Sequence, residues 1–281
     1  MFMLRPYTHD QLTKDIGLIE KFYPFLDISS VGESIEKRPI YIIRLGTGER
    51  EVFFNASHHA LEWITSLIIM NFIFDYGDHY ILGSRLSGFN IRHLAKISSI
   101  YMLPMVNPDG VERVISYGSK FSTWQANARG VDLNHNYDAD WDLCHERELA
   151  SGILGPGPSR YGGTHAESEP ETKAIVDFVR AHSFKRVVAL HSQGNEIYWN
   201  FKNLEPSCSF SFAETLSKAS GYTVSTPPTS ASAGGFKDWF IKEFRHEGYT
   251  FEVGKGKNPL PLEQYPKIYE DILEILLLCA I

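Results

Sequence analysis

The sequence predicts an α/β protein built on a mixed sheet, and three observations lead there. Apolar runs of strand length alternate along the chain with segments of helical period. Two of the early runs, PIYIIRL (Pro39–Leu45) and EVFFNA (51–56), are separated only by a segment containing Gly-Thr-Gly, the spacing of a hairpin. The later runs are separated by helical segments, as parallel strands are. No internal repeat, low-complexity tract or linker interrupts the 281 residues, so a single domain over 1–281 is expected.

Each element has its own warrant. Residues 8–23 carry Leu12, Ile16, Ile19 and Phe22 at helical spacing. Residues 60–74 form an apolar helix directly after EVFFNA. ISSIYML (97–103) reads as a buried strand, because Ile100, Tyr101, Met102 and Leu103 run together. Residues 104–167 are rich in Gly, Pro, Asn and Asp yet hold Trp124, Tyr137, Trp141 and Tyr161, which points to a packed, functional loop region. A helix is expected over 169–182 and a short strand over RVVAL (186–190), ending at His191. Helix over 236–245, strand over YTFEV (249–253) and an amphipathic helix over 262–278 complete the chain.

Composition narrows the function. Hydrophobic residues are 43% and charged residues 22%, so disordered, collagenous and coiled-coil classes are excluded. The net charge of -7 offers no basic field for nucleic acid. Cys144, Cys208 and Cys279 lack the spacing of a zinc finger or redox pair and read as reduced thiols. The first residues contain no apolar leader core, and the apolar run 272–281 is too short to span a bilayer. A cytoplasmic location without membrane partners is the resulting expectation.

Three common chemistries are missing from the sequence. It contains no G-x-S-x-G elbow, no G-x-x-x-x-G-K-[ST] phosphate loop and no H-E-x-x-H helix. It does contain H-x-x-E twice, at His59–Glu62 and at His145–Glu148. The first follows a strand and opens a helix, where an open α/β sheet presents polar groups to a ligand crevice. The second lies in the charged segment CHERE and reads as a solvated face. A catalytic zinc takes three protein ligands and keeps one position open. His191, at the end of an apolar strand in VVALHSQG, is the candidate third ligand. Glu252, between Phe251 and Val253, is a candidate base, and Arg129 a candidate carbonyl contact. The bland alternatives are a strand-edge histidine, an outward glutamate and a surface arginine.

HALEWIT, NPDG, GVDLNHNY, ESEPET, ALHS and TFEVG, in this order, resemble the zinc carboxypeptidases of the carboxypeptidase A type over nearly the whole chain. The resemblance implies a mixed sheet of about eight strands between helices and one zinc ion. It also implies His59, Glu62 and His191 as zinc ligands, Glu252 as general base and Asn134 as part of a substrate-carboxylate clamp. Arg129 falls in the segment that supplies the family's carbonyl-polarising arginine.

Two departures stand out. The family's N-R-N is N-H-N here, so His135 replaces the arginine of the clamp. Histidine lacks the planar two-pronged grip and is neutral over part of the physiological range. The family's mobile tyrosine falls at Ser230. Lys237 in AGGFKDWF occupies the position that sets side-chain preference, and a lysine there suits a substrate with a side-chain carboxylate. Together with N-x-R-G-V-D-L-N and H-S-Q-G-x-E-I-Y-W, these features resemble the γ-D-glutamyl-diaminopimelate peptidase branch. The expected substrates are then peptide fragments of bacterial cell wall. A broad carboxypeptidase and an inactive binding module for such peptides are the alternatives, and a plain helix-surface lysine is the alternative for Lys237.

Overall fold

The computed structural model describes residues 5–228 and 232–281. One eight-stranded mixed sheet forms the frame. Its strands are β1 (Asp27–Glu33), β2 (Pro39–Leu45), β3 (Arg50–Ala56), β4 (Ser98–Leu103), β5 (Arg186–His191), β6 (Glu196–Tyr198), β7 (Thr223–Ser225) and β8 (Glu247–Glu252). Their spatial order is β1-β2-β4-β3-β5-β8-β6-β7. The four central strands β4, β3, β5 and β8 are mutually parallel. They are the most buried strands, as strands covered on both faces must be.

Alternation along the strands builds two cores. Val52, Phe54, Val188 and Leu190 face one layer, with α1 (His9–Phe22), α2 (Ile64–Leu82) and, after the last strand, α9 (Tyr265–Cys279). Phe53, Val187 and Ala189 face the other, with α6 (Pro170–Arg180) and α8 (Phe236–Phe244). Residues 64–70 of α2 are buried without a break, because this helix lies between β3 and α9. The remaining helices are α3 (Ile91–Ile97), α4 (Pro108–Tyr117), α5 (Trp141–Ala150) and α7 (Ser209–Ser220). No helix among the described residues is long and apolar enough to cross a membrane.

Four expectations are corrected. PIYIIRL and EVFFNA are not a hairpin: β4 lies between them, and the hairpin partner of β2 is β1. Residues 60–74 divide into a 3-10 turn, Ala60–Glu62, and the start of α2. The supposed loop over 104–167 contains α4, whose first turn is capped by the Asn107 side chain accepting from Gly110 N at 3.0 Å, and α5. His145–Glu148 lies on α5, and its glutamate is buried rather than solvated.

The Gly-Thr-Gly segment does a different job from a hairpin turn. It carries the chain past the junction of α3 and β4, where a Cβ on Gly48 would stand 2.0 Å from the Ile97 carbonyl carbon. Gly46 has φ +79°, and a Cβ on it would stand 2.4 Å from Ser98 O. Both neighbours are backbone and cannot rotate away. Gly48→Ala is therefore expected to cost about 3 kcal/mol, a fall of roughly 6–10 °C in Tm by thermal denaturation. An unchanged midpoint would show that the segment yields.

Candidate metal centre and active site

The parallel strands β3, β5 and β8 end side by side, and their first polar residues meet there. β3 leads through Ser57 and His58 to His59. The strand end is stapled to α2 by short polar contacts: Ser57 N donates to Thr65 Oγ1 at 3.0 Å, and Ser57 Oγ lies 2.7 Å from Ser66 Oγ. Ser66 Oγ in turn donates to Pro104 O at 2.6 Å. Residues three apart eclipse in a 3-10 turn, so the turn Ala60–Glu62 puts His59 and Glu62 on one side.

His191 completes the cluster from the end of β5. His59 Nδ1 is 2.9 Å from Glu62 Oε1, and His191 Nδ1 is 3.0 Å from Glu62 Oε2. The two Nδ1 atoms are 3.3 Å apart. Ser192 N donates to Glu62 Oε2 at 3.1 Å. The two ring nitrogens and the carboxylate oxygens all converge on one point, within 3.3 Å of their neighbours. A divalent cation satisfies two nitrogens and an oxygen at once, so the donor set fits zinc.

A second layer fixes the rings. Asp132 Oδ1 is 3.3 Å from His59 Nε2. Asp132 also accepts from Arg160 N at 2.8 Å and Asn134 N at 3.2 Å. His58 stacks on His191 with centroids 5.5 Å apart, and its Nε2 is 2.9 Å from the Tyr137 hydroxyl. Carboxylates behind ligand imidazoles set the tautomer and raise basicity. Neither Asp132 nor His58 was singled out from sequence as a site residue. The signal for Asp132 was its place in GVDLNHNY, and for His58 the His-His pair.

Burial and charge work against each other here. Burial favours a neutral Glu62, but His59 and His191 overcome it and hold the carboxyl down at about 2. Burial would likewise neutralise His59, yet Glu62 and Asp132 hold it well above an ordinary histidine. His191 is pushed down by burial. Glu252 goes the other way, with its carboxyl well above the ordinary range through burial and the nearby Glu62 charge. Glu252 pairs in register with His191 across β8 and β5, so both side chains leave the same face of the sheet.

Glu252 and His59 line one cleft, together with Asn134, His135, Tyr198 and Lys237. Asn134 Oδ1 accepts from Phe236 N at 3.0 Å, which ties the 3-10 turn Leu133–His135 to the start of α8. His135 Nδ1 is 3.0 Å from Glu148 Oε1. Burial alone would neutralise His135, but Asp132, Cys144 and Glu148 raise it to about 10. These neighbours favour the charged form of the ring over the neutral one.

Lys237 is no surface lysine either. It is 5% exposed, donates to Asn200 O at 2.7 Å and pairs with Asp238. Arg129 is not brought in. Its guanidinium is 56% exposed, 3.6 Å from Glu169 Oε2, and it is not among the residues lining the cleft. Ser230 lies outside the described residues.

Known proteins share this sequence and frame. The chain is 38% identical over 289 residues to γ-D-glutamyl-L-diamino acid endopeptidase 1 of Lysinibacillus sphaericus, covering 96% of this chain and 71% of that protein. Its fold is similar to bovine thrombin-activatable fibrinolysis inhibitor, with TM-score 0.79 and 21% identity over 99% of this chain and 97% of the other. It is also similar to a murein-tripeptide amidase of Escherichia coli O157, with TM-score 0.61 and 18% identity over 89% and 91% of the two chains. With the zinc carboxypeptidase family profile matching residues 15–275, this chain belongs to that family and is a metallopeptidase.

Proposed function

We propose that this peptidase hydrolyses the amide between γ-D-glutamate and meso-diaminopimelate in bacterial cell-wall peptides. The observation that carries the reading is the cleft that joins Glu252 and the His59–Glu62–His191 cluster to a buried lysine, Lys237. The 38% identity to a γ-D-glutamyl-diamino acid endopeptidase supports the same substrate class.

His59, Glu62 and His191 are the residues that would hold zinc. Bound there, zinc supplies a Lewis acid and an activated water at neutral pH. Glu252 accepts the proton of the attacking water on its carboxylate. As the C–N bond breaks, the same carboxyl returns that proton to the leaving amine of diaminopimelate, which leaves a free γ-carboxylate on glutamate. Asp132 holds His59 in place by its Nε2 contact. Asn134 and His135 border the cleft where a substrate carboxylate docks. Lys237 faces the distal carboxylate of the diaminopimelate side chain. Arg129 is turned toward Glu169 in this structure, and a carbonyl contact would need it to swing into the cleft.

The pairing of Asn134 and His135 on one side of the cleft also favours a second reading, a carboxypeptidase for ordinary C-terminal residues. Incubation of L-Ala-γ-D-Glu-meso-diaminopimelate with zinc-loaded protein, followed by mass spectrometry, separates the two. Release of diaminopimelate with a hippuryl peptide left intact supports the first. The reverse pattern supports the second.

Glu252→Gln should lower kcat by about a thousandfold while zinc content by elemental analysis stays at the wild-type value. A variant that keeps its turnover removes Glu252 from the proton-transfer role. Lys237→Met should lower kcat/KM for the diaminopimelate peptide by about tenfold to a hundredfold, the worth of one charged hydrogen bond. The matching L-lysine peptide, which lacks the distal carboxylate, should lose little. Equal losses on both peptides would reduce Lys237 to a structural residue.

A further inference from the structure

The His145–Glu148 segment belongs to a second cluster of metal-type donors. Cys144 and Glu148 are one turn apart on α5 and face the turn that carries His135. His135 Nδ1 is 3.0 Å from Glu148 Oε1 and 3.3 Å from Cys144 Sγ, and Sγ is 3.4 Å from the same Oε1. Cys144 and Glu148 are buried, and the His135 side chain is 12% exposed. The nitrogen, sulfur and oxygen thus form a triangle with sides of 3.0–3.4 Å. The His59–Glu62–His191 donors form one with sides of 2.9–3.3 Å. Two triangles of the same size occur in one chain, and one of them is the family's zinc site.

We propose that His135 Nδ1, Cys144 Sγ and Glu148 Oε1 form a second zinc site, a structural one. Zinc is borderline-soft and accepts thiolate, imidazole and carboxylate in one tetrahedral shell. Binding displaces the thiol proton of Cys144 and the proton on His135 Nδ1 into solvent, leaving a thiolate and a neutral imidazole as ligands. His145 Nδ1 lies 3.4 Å from Glu148 Oε2, the carboxylate oxygen turned away from the triangle. Glu148 is itself fixed by Gly162 N, which donates to Oε2 at 3.1 Å. Gly162 O in turn accepts from Asn136 Nδ2 at 2.6 Å and Trp141 Nε1 at 2.9 Å. A buried shell of this kind, tied to backbone, is how proteins hold a permanent ion.

The arrangement is not that of a cysteine nucleophile. A proton relay needs the thiol and the carboxylate on opposite ring nitrogens. Here both crowd Nδ1, as donors around one ion do. Arg147 and Arg160 line the same crevice. Their charge opposes a free cation, and the charges of a Cys144 thiolate and the Glu148 carboxylate together balance a divalent ion. The site would fix the turn Leu133–His135, which borders the cleft on one side and follows Asp132, the partner of His59, on the other.

Cobalt(II) loading of chelator-stripped full-length protein tests the proposal without reference to activity. Only the second cluster contains sulfur, so a near-ultraviolet sulfur-to-cobalt absorption reports it alone. Two cobalt ions per chain with this absorption are expected. Cys144→Ser should bind one ion and lose the band, whereas His59→Ala should bind one ion and keep it. Wild-type protein that binds one ion without the band overturns the proposal, as does a band that survives Cys144→Ser. Because the wild-type spectrum is decisive by itself, a variant that fails to fold leaves the proposal falsifiable. Loss of the first site shows separately, as a single ion that retains the sulfur absorption.

Discussion

A single buried carboxylate organises this molecule. Glu62 is 2% exposed and touches both His59 and His191, residues 132 positions apart in the chain. An ionised carboxylate in the interior is tolerated only with partners that repay its lost hydration. Glu62 has two imidazoles and the Ser192 amide. The partners come from two strand ends, so β3, β5 and the turn between β3 and α2 must all be in register for the charge to be tolerated. The demands of one side chain therefore constrain three elements.

The parallel centre of the sheet is what makes that possible. Strands running the same way deliver their carboxyl ends to one edge, so His59, His191 and Glu252 arrive from distant segments without long loops. The surrounding polar residues then divide the labour. Asp132 and His58 orient rings, Asn134 joins the 133–135 turn to α8, and the serines and threonine at 57, 65 and 66 hold the strand end against α2.

Much of this was legible in sequence because apolar runs that stop at a polar residue mark strand ends. VVALH and YTFEV point to His191 and Glu252 in that way, and HALEWIT to His59 and Glu62. Strand β1 was not legible: DISSVGE is an edge strand with polar side chains and little of it buried. Strands β6 and β7, three residues each, are too short to show a period. The false hairpin arose because strand pairing is non-local, and β4, which starts at Ser98, enters between neighbours that local spacing joins. The buried Glu148 was hidden by its charged neighbours, since CHERE reads as a surface and only Gly162 and His135, from other segments, enclose it. The orientation of Arg129 toward Glu169 is likewise a tertiary fact.

The Lys237–Asp238 pair at the base of the cleft bears on which molecules are turned away. Both charges are already buried and mutually satisfied before anything enters. An aliphatic or aromatic side chain seated against them would strip the last water and offer no hydrogen bond in exchange. Discrimination against such residues would then rest on their exclusion as well as on the charged contact offered to a matching guest. A guest bearing its own charges can instead exchange partners with the pair, so polarity, more than bulk, becomes the ticket of admission.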